Sequence, residues 1–396
     1  MGNNEKKIEP VTVGLIGYGN MGSQHIEFLN AMPSADVVAV CDRIPSKAQR
    51  GAARAGCNSY HDFETMLDKE APQAIVVATP HFDHVPIAVE AFRRGIHVLL
   101  EKPVAVEATE ARRAAEEYEK AKSEHTDLVY AAMFNQRTYG HWLKIKDLID
   151  GGELGRIVRA TWIITDWFRT QHYYDTGNWR ATWAGEGGGV LVNQCPHNLD
   201  LYQWLFGMPQ AVQGFASLGK YHDIEVEDEV TAYFEHENGM VGHFITTTAE
   251  SPGTNRLEVV GERGRLVFED GTIELLRNRK SMLDFLSSEK KSFTHVESWP
   301  CRIPYHHHGE GGHRIVLERF LSAVQGRDTP VAEGNEGLHS VILANAIMQS
   351  AFSEAKINLP MDEAGYSAKL AELKKTSRYT GAEDESGKIE DLAGSY

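Results

Sequence analysis

Residues 11–29 read VTVGLIGYGNMGSQHIEFL, and this stretch decides the fold. Val11 to Ile16 is a continuous apolar run of the length expected for a buried strand. It breaks at Gly17, Gly19 and Gly22, and a helical pattern through Ile26 and Leu29 follows. GxGxxG between a strand and a helix has a physical meaning. Gly17 permits the tight turn, Gly19 lets the backbone approach a pyrophosphate, and Gly22 allows close helix–strand packing. The helix N-terminus then faces the negative charge. Tyr18, Asn20 and Met21 share the turn and are candidate cofactor contacts with the three glycines. A second apolar strand, Val37 to Cys41, ends in Asp42, where a carboxylate can accept both hydroxyls of an adenosine ribose. A glycine-rich turn without a nucleotide is thereby the weaker reading. Asp42 favours NAD, because a carboxylate repels the 2′-phosphate of NADP. Arg43 and Lys47 could accommodate that phosphate, so NADP stays open.

The alternation continues. Gln73 to Pro80 is a buried strand followed by a helix from Val85 to Arg94. His97 to Pro103 is a strand followed by the charged helix Glu107 to Ser123, and Leu128 to Arg137 closes the series. Strands alternating with helices of this length predict an α/β Rossmann domain, a doubly wound parallel sheet, over residues 8–137. Ligands bind at the carboxyl ends of such strands, which selects Thr79, Pro80, Glu101, Lys102 and Asn135.

Length and composition set the outer bounds. The chain has 396 residues, enough for two domains with a full core each. A net charge of −16 argues against a nucleic-acid or anionic-membrane partner. The four cysteines are scattered with no CxxC pair, which fits a reducing compartment and no structural zinc. No run reaches transmembrane length, and the N-terminus lacks an apolar leader, so a cytoplasmic location is expected.

After Arg137 a helix (Trp142 to Ile149) precedes seven strand-like segments between Arg156 and Arg277, with hairpin signals at Asn238-Gly239 and Asp270-Gly271. These predict an α+β domain over 138–371 with a large, open, mostly antiparallel sheet. Two late helices follow, and 372–396 reads as a polar tail, extended or disordered. Within this half lies GEGGGVLVNQCPHNLDLYQWLFG, from Gly185 to Gly207. Three glycines lead into a strand-like run. Asn193 reads as an N-cap, Pro196 sits in the first turn, and Leu201, Trp204 and Leu205 form the apolar face. His197 stands one turn from Asn193 on this reading. Taken alone, a capped core helix with a satisfied histidine is the better interpretation.

GYGNMG, ATPHFDH, EKPVA, FNQR and GGGVLVNQCPHNLD, in this order, change that balance. Together they resemble the glucose-fructose oxidoreductase / inositol dehydrogenase / rhizopine-catabolism (Gfo/Idh/MocA) family, from Val11 to about Pro360. The resemblance implies an NAD(P)-dependent oxidoreductase acting on a secondary alcohol of a sugar, glycoside or cyclitol. It implies that Lys102, with a cis bond before Pro103, reaches the active site as a positive hydrogen-bond donor. It implies that His197 takes the hydroxyl proton, a role its ordinary pKa near 6.5 permits. Many members carry aspartate where this chain has Asn193. A neutral amide cannot supply charge, so a less basic His197 is expected here. The resemblance also implies a homo-oligomer, dimer or tetramer, formed through the second sheet, and a late helix (335–356) that returns to the first domain. Glycosidases that use tightly bound NAD, and non-catalytic regulators, are the alternative readings.

Between the strand after Gly155 and the glycines lies TDWFRTQHYYDTGNWRATWAGE, dense in aromatics and hydrogen-bonding groups. Tyr174 and Arg180 are the candidate substrate contacts, together with Lys102, Asn193 and His197. YHHHGEGGH (Tyr305 to His313) tempts a metal reading. Three adjacent histidines cannot face one ion from a strand, so no metal is expected. His84 is expected to pack on the cofactor side.

Overall fold

The computed structural model describes residues 9–177, 179–306 and 312–381, and the chain divides into two compact units. The first runs up to Asn135 and takes in a later segment ending at Val341. It contains β1 (Val11–Ile16), α1 (Asn20–Asn30), β2 (Ala35–Cys41), α2 (Pro45–Ala55), β3 (Asn58–Tyr60) and α3 (Phe63–Glu70). β4 (Ala74–Val77), α4 (His84–Arg93), β5 (His97–Leu100), α5 (Ala108–Glu124) and β6 (Tyr130–Ala132) complete the alternation. The six strands are all parallel in the order β3-β2-β1-β4-β5-β6. That order reverses between β1 and β4, where a doubly wound sheet opens a crevice at its carboxyl edge. The sequence announces no strand between Arg43 and Pro72. β3 is a short polar segment, Asn58-Ser59-Tyr60, with no apolar run to betray it, though its flanking helices carry ordinary signals. Pro45 opens α2, Gly56 ends it with φ 74°, and Asp62 caps α3 through the Thr65 amide at 2.8 Å. The core packs Val13, Leu15 and Val76 of the sheet with Ile26 and Leu29 of α1. Val316, Leu317, Phe320 and Leu321 of a returning helix join them.

The second unit starts at Gln136 and also takes in Ile342 to Tyr379. It begins with α6 (Gly140–Asp150), β7 (Ile157–Ile164), the short α7 (Gln171–Asp175) and α8 (Pro196–Phe206). Next come β8 (Ala211–Leu218), β9 (Glu227–Glu235), β10 (Val241–Thr247), β11 (Asn255–Gly261), β12 (Gly264–Glu269) and β13 (Thr272–Asn278). With β7 these make the seven expected strands. The chain continues through α9 (Met282–Ser288), β14 (Ser298–Ile303), the returning helix α10 (Gly312–Val324), α11 (Gly337–Ser353), β15 (Ile357–Asn358) and α12 (Glu363–Lys375). The sheet order is β14-β13-β12-β11-β7-β10-β9-β8-β15, antiparallel except for the β7–β10 pair. Asp270 and Gly271 both have positive φ (47° and 66°), as a two-residue primed turn requires. One face of the sheet is the core. Trp162 meets Trp142 of α6 at 5.0 Å, and Phe234 meets Tyr202 of α8 at 4.7 Å. A side chain at Gly242 would place its Cβ 1.9 Å from the Tyr202 hydroxyl, so glycine sets how closely α8 lies on the sheet.

Two local expectations are corrected. Residues 190–195 form successive turns, not a strand, and the N-cap of α8 is Cys195, not Asn193. The reason is visible at Gly189, whose Cβ would sit 2.0 Å from the Glu227 carbonyl. Val190 donates to that carbonyl at 3.0 Å, and Asn193 and Cys195 bond back to Gly189 and Val190. The chain coils against β9, and the Asn193 side chain is engaged elsewhere. The region read as a tail from 372 also begins inside α12, which runs to Lys375.

Candidate active site

In the first unit, the carboxyl edge of the sheet collects the expected residues. Gly17 has φ 96°, and a Cβ there would lie 2.5 Å from the Ala78 carbonyl; one at Gly22 would lie 2.0 Å from the Gly17 carbonyl. No atom lies within 4 Å of the corresponding point at Gly19, the glycine that opens α1 with no side-chain cap. An open glycine at an uncapped helix start is the cradle a pyrophosphate needs. Asp42 accepts from the Tyr18 amide at 2.8 Å and the Ile44 amide at 2.9 Å. A carboxylate has about four lone-pair sites, so two remain for ribose hydroxyls. The Tyr18 ring is buried in the core, so its contribution to the cradle is backbone.

His84 ties two strand ends together. Its ring nitrogens lie 2.8 Å from the Pro103 carbonyl and 2.9 Å from the Thr79 carbonyl, and burial lowers its pKa despite both contacts. It therefore braces the edge where Thr79 and Lys102 stand. Among the described residues Thr79 Oγ1 has no hydrogen-bond partner, and it is shut off from solvent, as a cofactor contact would leave it. The Lys102–Pro103 bond is cis, as expected.

Glu101 lies behind Lys102. Burial alone would raise its pKa. The hydrogen bond from His25 Nε2 at 2.8 Å, with the electrostatic pull of His25, His313 and Lys102, outweighs burial and holds it down at about 2. His313 is pushed down to about 4, mainly by burial, and its neutral Nδ1 accepts from Asn135 Nδ2 at 3.3 Å. Neither His25 nor His313 stands out in the sequence. His25 is hidden in the first helix pattern, and in YHHHGEGGH the adjacent histidines obscure the last one. His307 and His308 lie outside the described residues.

In the second unit, His197 sits in the first turn of α8 and is 6% exposed. Asn193 donates from Nδ2 to Glu186 Oε1 and, at 3.3 Å, to the Tyr173 hydroxyl. Tyr173 lies under two guanidinium groups, with Arg180 at 4.7 Å and Arg169 at 5.2 Å from its ring centre. Arg180 also donates to the Thr176 carbonyl at 2.8 Å, so part of its donor set holds the loop. Tyr174 donates to Thr248 Oγ1 at 2.9 Å. Two buried carboxyls back the glycines. Burial pushes Glu186 up to about 7, against the Ala181 amide, Arg180 and Asn193, which favour its ionised form. Burial likewise pushes Glu227 up to about 7, although its Oε1 accepts from the Leu191 amide at 3.0 Å. Neither carboxyl stands out in the sequence. The one signal is a charged residue set beside glycines or in an otherwise apolar stretch.

Arg137 and Asp200, from the FNQR and HNLD segments, form a buried pair through bonds of 2.7 and 2.6 Å. The aromatic loop is fastened from behind. Glu225 accepts from the Trp183 amide at 2.6 Å and from Arg378 N at 2.7 Å, and it also accepts from the Ser377 hydroxyl. Ser377 Oγ in turn accepts from the Ala184 amide at 3.1 Å.

Comparison with known proteins agrees with this geometry. Residues 11–126 match the model of an oxidoreductase family with an NAD-binding Rossmann fold, and residues 142–267 match a GFO/IDH/MocA C-terminal domain. The chain is 25% identical to a levoglucosan dehydrogenase of Pseudarthrobacter phenanthrenivorans, over 89% of this chain and 99% of that one. It is 27% identical to an inositol 2-dehydrogenase of Rubrobacter xylanophilus, over 88% and 92%. The WlbA dehydrogenase of Bordetella pertussis, crystallised with NADH and UDP-GlcNAcA, superposes with a TM-score of 0.74 at 26% identity, over 89% and 100%. The dinucleotide cradle, the Lys102 edge and the nine-stranded sheet thus carry a family identity: the chain belongs to the Gfo/Idh/MocA oxidoreductases and has their NAD-binding Rossmann domain.

Proposed function

We propose that this protein is an NAD(P)-dependent dehydrogenase acting on a secondary alcohol of a sugar, glycoside or cyclitol. One observation carries the reading. Lys102 stands on the same carboxyl edge as the open Gly19 cradle and Asp42, braced through His84. Gly17 to Gly22, Asp42, Arg43, Thr79, Pro80, Glu101 and Asn135 hold the cofactor, which when bound supplies a hydride acceptor. His197 accepts the hydroxyl proton, and Lys102 donates a hydrogen bond to the oxygen as negative charge develops on it. Asn193, Tyr174 and Arg180 position the sugar. The dehydrogenase names of the relatives support the substrate class.

A panel of monosaccharides, inositols and glycosides, offered with NAD and with NADP and read by absorbance of the reduced cofactor, tests this. Turnover of at least one polyol is expected, faster with NAD. Lys102→Ala and His197→Ala should each lower kcat by about 10²–10⁴ with folding retained. Glycoside cleavage without net cofactor reduction would select the glycosidase reading, and cofactor binding with no turnover the regulator.

The outward face of the nine-stranded sheet supports self-association. Phe215, Thr231, Ile245 and Ile163 lie in one cross-strand row on it, with Phe215 63% exposed. A dimer or tetramer through this face is the expected state, read by light scattering. A cytoplasmic location accords with the cysteine pattern; among the described residues no helix is long and apolar enough to cross a membrane.

A further inference from the structure

We propose that Arg169 binds a carboxylate on the substrate, so that the preferred sugars are acids: uronates, aldonates or their glycosides. This rests on the proposed function in taking the aromatic loop as the part of the chain that meets the sugar. Arginine carries a fixed positive charge and five N–H donors, and away from solvent it is ordinarily matched by a carboxylate. In the second unit Arg137 is paired with Asp200, Arg159 with Glu258 and Arg256 with Glu269. Arg169 differs. It is half-buried, and among the described residues no carboxylate lies within ion-pair distance of its guanidinium. Nη1 donates to the neighbouring Phe168 carbonyl at 3.0 Å, and no other N–H of the group has an acceptor among the described residues. Asp166 is near enough to feel its charge, yet gives its Oδ2 to Asn255 Nδ2 at 3.1 Å.

The group is also held in place. The Arg169 backbone is fixed on both sides, its N–H donating to the Thr248 carbonyl at 2.8 Å and its carbonyl lying 2.9 Å from His222 Nε2. The guanidinium lies over two aromatic rings, 5.2 Å from the centre of Tyr173 and 5.7 Å from that of Trp167. Stacking engages the faces of the planar group and leaves its N–H edges, the fork that matches the two oxygens of a carboxylate. A single fork balances one negative charge, whereas a phosphate monoester carries about −1.5 to −2 at pH 7. Trp167 supplies a second, independent sign. Its Nε1 is shut off from solvent and has no hydrogen-bond partner among the described residues. An indole N–H only donates, so what is missing beside Arg169 is an acceptor. The Tyr173 hydroxyl accepts from Asn193 at 3.3 Å, so one tyrosine ring separates the guanidinium from a residue proposed to position the sugar. A substituent on that sugar is what Arg169 meets. The whole chain carries a net charge of −16, whose field repels anions, so an acidic sugar needs a local cation of this kind.

The experiment compares D-glucuronate, D-galacturonate and D-gluconate with their neutral counterparts glucose, galactose and glucitol, and with glucose 6-phosphate. Values of kcat/KM with NAD are read by absorbance of the reduced cofactor. At least one acid should exceed its neutral counterpart by about 10- to 100-fold. In Arg169→Gln that acid-over-neutral ratio should fall to about one, and in Arg169→Lys, which keeps the charge but not the fork, it should fall part of the way. An arginine with a merely structural role would lower activity on acid and neutral sugar alike and leave the ratio where it was. A neutral sugar or the phosphate preferred over the matching acid, or a ratio that Arg169→Gln does not move, overturns the proposal. The second arm needs no turnover. The same compounds are titrated calorimetrically into the protein loaded with NADH, where an acid should bind about 10-fold or more tighter than its neutral counterpart, and no tighter in Arg169→Gln. No detectable binding of any acid at millimolar concentration refutes the site. If nothing is turned over while the acids bind through Arg169, the dehydrogenase reading fails and the carboxylate site stands. If a neutral polyol is turned over and no acid is favoured, the dehydrogenase reading stands and this proposal fails.

Discussion

Arg137 and Asp200 are 3% and 1% exposed, and each carries a full charge into the interior of the second unit. Their two parallel hydrogen bonds have the fork geometry that makes such a pair tolerable, and Gln203 adds a third bond to Asp200 at 3.1 Å. Removing one partner strands the other. Arg137→Met should therefore destabilise the protein by about 3–5 kcal/mol, and the double variant with Asp200→Leu should recover most of that loss. Urea unfolding of the three proteins checks this; equal losses for single and double variants would show that packing, not charge, is at stake. Side chains of this kind are where sequence reading runs thin. Asp42 is legible because a strand, a glycine turn and a fixed spacing converge on it. Glu186 is not, because its meaning depends on the Ala181 amide and on a coil at 190–195 that no periodicity announces.

At the level of elements, the loop carrying Trp179 to Glu186 is clasped by the chain that leaves α12. Glu225, just before β9, bonds the Trp183 amide on one side and Ser377 and Arg378 on the other. Arg378 adds an ion pair to Asp223, exposed and worth little alone. Ending the chain after Lys375 should raise the rate of limited proteolysis within residues 179–187 by several-fold and leave the exchange protection of β9 and β10 unchanged. Protection lost across the sheet would mean that the clasp supports more than the loop. The elements themselves are mostly readable. β1, β2, β4 and β5 are apolar runs closed by glycine, proline or an acid, and β9 to β12 alternate over most of their length. β14 and β15 escape because the first is an exposed segment containing Pro300 and the second is two residues long. The start of α8 is misplaced because an asparagine ahead of an apolar run looks like a cap, whatever its side chain holds in space.

On the scale of the whole molecule, the most strongly shifted buried acids and histidine of the two units link stability to pH in opposite senses. In the first, folding holds His313 down at about 4 and Glu101 at about 2. Depressed values mean the native state binds fewer protons, so this stability is present above the unfolded values, 6.5 and 4.5. It is lost as pH falls through about 4 and then about 2. In the second unit, Glu186 and Glu227 are raised from 4.5 to about 7, so their contribution is complete below 4.5 and lost as pH rises through about 7. Each is worth roughly 3 kcal/mol, because every tenfold change in proton affinity amounts to about 1.4 kcal/mol. Hydrogen exchange followed by peptide should show α8 losing protection between about pH 5 and 8 while β1 and β4 hold theirs, and Glu186→Gln should flatten the α8 trend. Equal behaviour of the two units would contradict this assignment. The clasp on the aromatic loop also places the protein in time. Ala184 reaches its partner, Ser377, only across 193 residues of chain. At ribosomal rates of about 5–20 residues per second, roughly 10–40 s pass between synthesis of the loop and arrival of the segment that fastens it. Helix α10, which completes the core of the first unit, is made between the loop and its fastening, so the nucleotide-binding unit has its whole core before Ser377 arrives to hold the aromatic loop.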